Sequence, residues 1–309
     1  MTEVDQTENT ALPAADQTRA EEKQARKKAH RREYVQAFLF TVVVALLLKA
    51  FFIEAFRIPS GSMEETLLEG DFLLVNKFIY GIRTPRAIPL TTITIPAVTL
   101  FPIVEPKMGD VLIFDFPGGR DEINPPRAET YIKRCIGTPG DTIEIINKTV
   151  HRNGLIVTNP PTMKFQSFEI RPRGQPNLKI FPPGSGFNED NWGPVVVPKK
   201  GMIIPMTFDT RDWWYVFIKR EGHTVEFRDS VYIDGRCAES YTVERDYLFV
   251  MGDNRDNSLD SRFWGFVPVD HVVGKAMFVY WSVDQRGTTG NITEILSSLR
   301  WNRVGTIIK

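Results

Sequence analysis

The N-terminal 53 residues divide into three blocks of different polarity. Residues 1–18 are polar and carry only acidic charges, residues 19–32 are dominated by lysine and arginine, and residues 34–53 are strongly apolar with Lys49 as their only charge. As a helix, the apolar block of about 20 residues would match the ~30 Å core of a bilayer. The pattern predicts a disordered basic cytoplasmic tail over 1–33 and a single transmembrane helix over 34–53.

The basic block also sets the direction of the predicted anchor. Lysine and arginine collect on the cytoplasmic side of membrane segments, so the N-terminus is expected in the cytoplasm and everything after residue 53 outside it. Lys49 lies near one end of the run, where its stem can reach the interface. A cleaved signal peptide and a buried core helix are the alternatives. The long polar leader and the lack of a small-x-small site weigh against the first, and the basic block weighs against the second.

Beyond the anchor, apolar positions come in short runs closed by Gly, Pro, Asn or Asp, as is typical of β-strands. Asn153-Gly154 and Asp234-Gly235 each predict a tight hairpin turn. Residues 82–106, rich in Pro, Thr and Ile, predict a long irregular loop, and residues 300–309 predict a short helix or strand against the body. The predicted strands cover residues 71–80, 110–116, 130–136, a stretch from 142, 247–251 and 276–283.

A weak internal repeat relates two parts of this body. Residues 140–145, which lead to Asn153-Gly154, resemble residues 222–227, which lead to Asp234-Gly235. Two similar hairpins would explain the likeness, and so would chance.

The stretch between the two copies differs from the rest. Residues 155–221 hold many prolines and three tryptophans, which are too many aromatic residues for a solvated linker. We therefore predict a mainly β fold. In it, the transmembrane helix is followed by an antiparallel β-rich catalytic domain of residues 54–154 and 222–309, with residues 155–221 inserted as a β-rich cap or subdomain.

Composition narrows the function further. The 38 lysines and arginines balance 38 aspartates and glutamates, so no overall field points to nucleic acid as a partner. No metal-ligand cluster and no phosphate-cradling glycine loop stands out in the sequence, and we expect neither a metal nor another cofactor. Cys135 and Cys237 are too few for a disulfide framework, and whether they pair stays open.

Candidate chemistry begins at Ser62, in the run Pro-Ser-Gly-Ser-Met at 59–63. A serine hydroxyl is a weak nucleophile until a nearby base takes its proton. The glycine at position 61 permits a sharp turn, although a plain loop joining the anchor to the domain would look the same. No histidine is close to Ser62 in sequence, since the chain has only His30, His151, His223 and His271.

Lys133, in the run 131–134, is the other candidate base. Strand alternation places it on one face with Tyr131 and Cys135, between an aromatic ring and a small apolar group. Burial there would lower its pKa from about 10.4 toward the ~7–8 that a base needs, a change worth about 4 kcal/mol and within reach of desolvation. A lysine that points from the strand into solvent is the competing interpretation.

A third polar stretch, residues 252–262, directly follows an apolar predicted strand. Its many Asp, Asn, Arg and Ser residues fit either a solvated turn or a buried hydrogen-bonding hub, and the adjoining Trp264 and Phe266 favour inward packing. Buried charges need partners, and Asp260 with Arg262 is one obvious pair.

Together these stretches resemble bacterial type I signal peptidase (leader peptidase), the membrane-bound serine protease that removes signal peptides from exported proteins. The resemblance covers residues 34–154 and about 222–309, in the family's order and after an apolar anchor, and it leaves the insertion unexplained. The polar run 252–262 is its most specific part. The matching residues are Ile58–Met63, Gly109–Val111, Tyr131–Arg134, Gly137–Asp141, Gly252–Arg262 and Trp264-Gly265.

The resemblance implies a Ser/Lys dyad. Ser62 would be the nucleophile, and Lys133 would be the neutral general base that later protonates the leaving amine. The Ser62 backbone N–H and the Ser60 hydroxyl would form the oxyanion hole. Ser258 would orient the Lys133 amine by a hydrogen bond.

The resemblance also implies supporting residues and a substrate. Asp253, Asp260 and Arg262 would form a structural hub. The family's substrates have small residues at the first and third positions before the cut, which implies shallow apolar pockets walled partly by Ile58 and Met63. The expected partners are signal-peptide-bearing preproteins and the lipid bilayer.

The implied location is the bacterial inner (cytoplasmic) membrane, with one pass, a cytoplasmic N-terminus and an extracytoplasmic, periplasmic catalytic domain. Some family members have two anchors, whereas one is visible here. Two other functions stay open. One is a related Ser/Lys protease such as a self-cleaving repressor, which should carry a DNA-binding module in place of the anchor. The other is a membrane-tethered β-domain that binds partners through its tryptophan-rich insertion without catalysis.

Overall fold

The computed structural model describes residues 14–84, 99–101, 103–125, 129–284 and 297–309. These residues fall into two compact units, one ending at Ala50 and the other beginning at Phe51.

In the described residues the first unit consists of helix α1, Ala14–Phe51, up to Ala50. The prediction of disorder over 1–33 is therefore wrong from Ala14 onward, because that stretch is rich in Ala, Glu, Lys, Arg and Gln, which are strong helix formers. Residues 1–13 lie outside the described residues. The predicted anchor of 34–53 falls on the last part of α1. Within the described ranges, no helix is both long enough and apolar enough to cross a membrane.

The second unit is built mainly from antiparallel strands, which confirms the mainly β, antiparallel part of the predicted fold class. It also contains helices α2 (Arg211–Arg220) and α3 (Ser261–Trp264). The strands are β1 Ile53–Arg57, β2 Asp71–Asn76, β3 Ile82–Arg83, β4 Thr99–Leu100, β5 Val111–Asp115, β6 Thr130–Gly137, β7 Thr142–Ile146, β8 Thr149–Arg152, β9 Leu155–Ile156, β10 Trp192–Val196, β11 Ile203–Pro205, β12 Val225–Phe227, β13 Val231–Ile233, β14 Arg236–Cys237, β15 Ser240–Thr242, β16 Tyr247–Met251, β17 Val267–Pro268 and β18 Val272–Ser282.

The largest sheet has the strand order β1-β2-β18-β5-β6-β16-β17. In β2 every second side chain is buried, including Leu73 and Val75, whereas all five side chains of β16 are buried. Three strands separate β1 from β6 in this order, yet the turn between β1 and β2 contacts β6. That contact brings the two candidate catalytic residues together.

Both predicted hairpin turns are present. Asn153 and Gly154 join β8 to β9, and Asp234 and Gly235 join β13 to β14; all four residues have positive φ, as a type I′ turn requires. The two halves of the weak repeat become two three-stranded meanders, β7–β8–β9 and β12–β13–β14. In the predicted loop 82–106, β3 pairs with β4, while residues 85–98 and 102 lie outside the described residues.

The insertion 155–221 shares a hydrophobic core with the strands that flank it. Trp192 of β10 is fully buried, and its ring lies 4.7 Å from that of Phe249 in β16. Helix α2 buries Trp214, Phe217 and Ile218 in the same core, at the i, i+3, i+4 spacing of one helix face. The insertion, predicted to be β-rich, therefore also contains a helix that was not predicted. The boundary of a separate subdomain stays a prediction.

The two cysteines do not pair. Cys135 is buried in β6, Cys237 is exposed in β14, and both are free thiols. Burial raises the pKa of the Cys135 thiol to about 12, so this thiol stays protonated at neutral pH.

Candidate active site

Ser62 lies in a 3₁₀ turn, Gly61–Met63, between β1 and β2. Met63 and Ile58 are buried in an apolar cluster, which anchors the turn while Ser62 stays half-buried. The backbone at Gly61 is outside the left-handed region, and a Cβ there would have its nearest described contact at 3.9 Å. The turn itself therefore does not need a glycine at this position, contrary to the sequence expectation.

Lys133 reaches this serine from strand β6. Its Nζ lies 2.7 Å from Ser62 Oγ and donates to the Ile132 carbonyl oxygen at 3.1 Å. The Tyr131 ring centroid is 5.6 Å from Nζ, and Lys133 is only 4% exposed. Tyr131 and Cys135 pack in one apolar cluster, as strand alternation predicts. The interpretation of Lys133 as a solvent-facing lysine is therefore wrong.

This burial changes the acidity of the lysine. Desolvation lowers the pKa of Lys133 to about 8, against the opposing attraction of the Asp260 and Asp253 carboxylates. At pH 7 to 8 roughly a tenth to a half of the molecules then hold a neutral amine, which can accept a proton from a hydroxyl.

None of the four histidines contacts Ser62 in the described structure. A Ser/His pair is therefore excluded for this serine in the arrangement observed. The histidine contacts are His30 with Glu33, His151 with the Thr149 carbonyl, His223 with Asp234 and Glu244, and His271 with the Asp115 carbonyl.

A cavity of about 300 Å³ opens over the dyad. Ser62 and Lys133 line it together with the predicted pocket residues Ile58 and Met63 and with Ser60. Ser60 is exposed, and its side chain makes no capping hydrogen bond to the turn that it precedes. The cavity is large enough for a short stretch of extended peptide with small side chains.

The residue after the lysine anchors the polar hub. Arg134 Nε and Nη2 donate to the two carboxylate oxygens of Asp253 at 2.8 and 2.6 Å, and Arg134 Nη1 donates to two main-chain carbonyls. Thr66 Oγ1 donates to the same carboxylate. Asp253 is fully buried and Arg134 is 4% exposed, so this is a buried, bidentate ion pair.

The predicted pair of Asp260 and Arg262 is also present. Arg262 Nε and Nη2 donate to the two carboxylate oxygens at 2.8 and 2.9 Å, and both side chains are buried. Burial would raise the pKa of Asp260, but the Arg262 charge and hydrogen bonds outweigh it and hold the pKa below its usual value. The Asp260 side chain also caps α3 by accepting from the Arg262 backbone N–H.

The hub contacts the nucleophile turn through backbone and amide groups. The Asn254 backbone N–H donates to the Ser62 carbonyl at 3.1 Å, and Asn254 Nδ2 donates to the Gly61 carbonyl at 3.0 Å. A Cβ at Gly252 would lie 2.5 Å from the Ser62 carbonyl oxygen and 2.3 Å from Ser258 Oγ. Only a glycine allows this close approach between hub and turn.

The predicted hydrogen bond between Ser258 and Lys133 is not formed. The Ser258 hydroxyl is buried and has no partner of normal geometry among the described residues, although it lies near enough to Asp260 to help lower that group's pKa. The Lys133 amine instead contacts Ser62 Oγ and the Ile132 carbonyl.

Arg255 is a second buried group that lacks a hydrogen-bond partner for its guanidinium in the described part of the chain. Burial, with Arg262 nearby, lowers its pKa to about 10. The two buried carboxylates nearby, Asp253 and Asp260, accept from Arg134 and Arg262 instead.

Sequence reasoning missed three of the hub contacts: those of Arg134, Asn254 and Thr66. A signal existed for Arg134, because strand alternation turns it away from the Lys133 face of β6. Its partner Asp253, however, lies 119 positions away, and no local pattern connects the two.

Comparison with known proteins gives a consistent result. The family model described as signal peptidase, peptidase S26, matches residues 31–281. Signal peptidase I of Buchnera aphidicola subsp. Acyrthosiphon pisum is 34% identical over 88% of this chain and 80% of its own length. For signal peptidase I of Aquifex aeolicus the identity is 30%, over 82% of this chain and 84% of the relative. For that of Pseudomonas aeruginosa it is 32%, over 81% and 72%.

A solved signal peptidase I from Enterococcus faecalis matches 56% of this chain and 97% of its own, with 19% identity and a TM-score of 0.25. A score this low carries no argument about the fold. The sequence matches are sufficient by themselves: the chain belongs to the signal peptidase family, peptidase S26, and is a serine endopeptidase.

Proposed function

We propose that this protein removes signal peptides from exported preproteins, cutting after small-x-small motifs, with Ser62 as nucleophile and neutral Lys133 as general base. One observation carries the proposal: Lys133 Nζ lies 2.7 Å from Ser62 Oγ, and the lysine side chain is buried, with only 4% of the residue exposed. A buried amine at hydrogen-bond distance from a hydroxyl meets the geometric requirement for an activated serine.

The reaction starts from the neutral amine. The Ser62 hydroxyl donates its proton to Lys133 Nζ as Oγ attacks the scissile carbonyl carbon, which gives a tetrahedral oxyanion and an ammonium group. The ammonium returns the proton to the leaving amine as the peptide C–N bond breaks, and an ester to Ser62 remains. Water then attacks the ester carbon, with Lys133 again taking the proton. The ammonium returns this proton to Ser62 Oγ as the ester C–O bond breaks, and the signal peptide leaves with a new carboxyl group that ionises in water.

The oxyanion is stabilised by the Ser62 backbone N–H and the Ser60 hydroxyl. Ser60 suits this role because it lines the same cavity and its side chain is not used to cap the turn. Loss of one such donor typically lowers the rate by ~10²–10³. A Ser60→Ala enzyme should therefore keep its substrate affinity while its turnover falls.

Substrate binds as an extended strand beside the dyad. In the described structure β1 is an edge strand of the seven-stranded sheet. One side of β1 pairs with β2, and among the described strands its other side is free to accept a peptide by strand addition. Alternate side chains of such a peptide point the same way. The apolar walls at Ile58 and Met63 then favour small residues at the first and third positions before the cut.

Ser258 acts on the lysine amine when substrate is bound. Its buried hydroxyl has no other partner of normal geometry among the described residues, and both Ser258 and Ser62 lie against Gly252. Rotation of this hydroxyl toward Nζ would replace the contact that the amine loses once Ser62 becomes acylated. Ser258→Ala should then slow hydrolysis of the ester more than its formation.

The proposed location is the bacterial cytoplasmic membrane, with the N-terminus in the cytoplasm. Support comes from exposed apolar side chains on α1, such as Tyr34, Phe38 and Phe40. The uncharged run between Glu33 and Lys49 covers about 15 residues, or ~22 Å of helix, so insertion requires the Lys49 stem to extend to the interface. The full chain should stay with membranes after alkaline extraction, and a chain starting at residue 54 should be released.

The direct test incubates purified protein with a preprotein and identifies the products by mass spectrometry. The wild type should release a mature chain that starts after a small-x-small sequence. Ser62→Ala should abolish cleavage, and Lys133→Arg should be nearly as damaging because guanidinium stays charged. Ser185→Ala, in the insertion, is the matched serine control and should cleave normally. Retained cleavage by the Ser62 variant would remove the proposal.

A further inference from the structure

Residues 162–167, at the start of the insertion, run beside the polar hub, and we call this segment the strap. The Lys164 backbone N–H donates to the Asp253 carbonyl at 2.9 Å, and the Arg255 N–H donates to the Lys164 carbonyl at 2.9 Å. This is a parallel bridge between Lys164 and Asn254. The backbone of the strap is thus fixed to the loop that follows β16.

Two side chains of the strap reach the segment that carries the nucleophile. Lys164 Nζ donates to Glu64 Oε2 at 2.9 Å, and Thr66 Oγ1 lies 2.5 Å from Thr162 Oγ1. Residues 162 and 164 are two positions apart in the strap, and their partners, residues 64 and 66, are also two positions apart. The contacts therefore form two rungs between the strap and the residues just after Ser62.

Glu64 joins the strap, the hub and the turn. Its Oε2 accepts from Lys164 and also from Asn254 Nδ2 at 3.2 Å. The same Asn254 amide donates to the Gly61 carbonyl at 3.0 Å. Glu64 lies two residues from Ser62, so a displacement of Glu64 would be passed along the backbone to the nucleophile.

The backbone between the two rungs is strained. Glu65 has a φ of +74°, in the left-handed region that residues other than glycine rarely adopt. Such a conformation persists only when its surroundings hold it. The rungs at Glu64 and Thr66 flank this residue on both sides, and Glu65 Oε1 itself lies 3.8 Å from Lys164 Nζ.

We propose that Lys164 is a positioning residue: through Glu64 it holds the strained segment, and thereby Ser62 Oγ, at its 2.7 Å distance from Lys133. The catalytic motifs leave the insertion unexplained, and Lys164 gives it a role in the active site. The kinetic consequence rests on the proposed function. Small displacements of a reacting group have large effects on rate. Loss of the Lys164–Glu64 contact, which we call the latch, therefore lowers kcat rather than substrate binding.

The kinetic test compares Lys164→Met with Lys164→Arg and with Arg173→Met. Arg173 is the control because it forms an ion pair with Glu144 at 2.9 Å from the same insertion but does not contact the turn. Lys164→Met should lower kcat about 3- to 10-fold with KM and thermal midpoint unchanged. Lys164→Arg should recover most of the loss, and Arg173→Met should match the wild type. An unchanged kcat in Lys164→Met, or a fall in the thermal midpoint that accounts for it, would overturn the proposal.

A second measurement does not depend on activity. The amide N–H groups of Glu64, Thr66 and Leu67 bond to carbonyls within the turn. Lys164→Met should speed hydrogen exchange at these amides and leave exchange in β2 unchanged. If exchange in the turn is unaltered, the latch is refuted even for an active enzyme. If exchange increases but Ser62→Ala still cleaves, the latch stands and the proposed function fails.

Discussion

Lys133 Nζ lies 2.7 Å from Ser62 Oγ, although the two residues are 71 positions apart in the chain. The same burial that brings the amine to the hydroxyl also lowers its pKa to about 8. Position and acidity of the base therefore have one cause, and substitutions that change one should change the other.

Activity should rise with pH because the base must be neutral. With a pKa of about 8 for Lys133, kcat/KM is expected to increase about tenfold per pH unit below 8 and to level off above ~9. Initial rates on a preprotein between pH 5 and 9 measure this. The thermal midpoint at each pH is the control, since the fold must be intact throughout. A flat profile would contradict a lysine base.

Replacing Lys133 by the similarly shaped methionine should inactivate the enzyme but stabilise it. The folded-state pKa lies below the ordinary lysine value of 10.5, so the unfolded chain binds more protons between about pH 8 and 10.5. Wild-type stability therefore rises with pH through this window. Lys133→Met should be more stable by up to about 3 kcal/mol below pH 8, with the gain vanishing above ~10.5. Urea unfolding at pH 7 and 10 measures it, and an equal difference at both pH values would refute it.

Breaking the buried ion pair of Asp253 and Arg134 should destabilise the fold strongly. Asp253→Asn leaves a buried guanidinium without its counter-charge, which typically costs about 3–5 kcal/mol. The free energy of unfolding from denaturant titration is the measurement. Asp253→Leu combined with Arg134→Met should cost less than Asp253→Asn alone, because no unpaired charge remains.

The matched control for that pair is Glu226 with Arg228, an ion pair whose side chains are both more than half exposed. Glu226→Gln should change the free energy of unfolding by less than about 1 kcal/mol. Equal losses at the buried and exposed pairs would show that the hub does not depend on its buried charges.

Gly252 should tolerate substitution much less than Gly61. A Cβ at Gly252 would meet the Ser62 carbonyl oxygen at 2.5 Å, whereas a Cβ at Gly61 has its nearest described contact at 3.9 Å. Gly252→Ala must push the hub away from the nucleophile turn, at a cost of about 1–3 kcal/mol. Differential scanning calorimetry of the two alanine variants compares them. A Gly252→Ala variant as stable as Gly61→Ala would mean that the approach is looser than described.

Much of the fold could be predicted from local signals. Strand β16 is a short apolar run with turn residues on both sides, and Asn153-Gly154 carries the dihedral preference of its own turn. The pairing of Asp260 with Arg262 was predictable because the two residues are neighbours in one polar loop. Helix α2 was missed because its tryptophans and phenylalanine favour strands, while burial at i, i+3 and i+4 decides in favour of a helix.

The rest of the site depends on contacts across long stretches of sequence. The pairing of Arg134 with Asp253 spans 119 positions and that of Lys164 with Glu64 spans 100. Nothing in a short window links such residues, since their proximity comes from the order of strands in the sheet and from the path of the insertion. Ser258 shows that a matching motif is also insufficient. The motif implied a hydrogen bond from Ser258 to the Lys133 amine, and that bond is not formed in the structure.

The most direct test of the central claim is the pKa of Lys133 itself. In protein labelled with ¹³C at lysine Cε, the Lys133 resonance is identified by its absence from Lys133→Met, and its chemical shift is followed from pH 6 to 11. We predict a midpoint of about 8. A midpoint near the ordinary lysine value of 10.5 would show a lysine that is charged at working pH, and such a lysine cannot be the base.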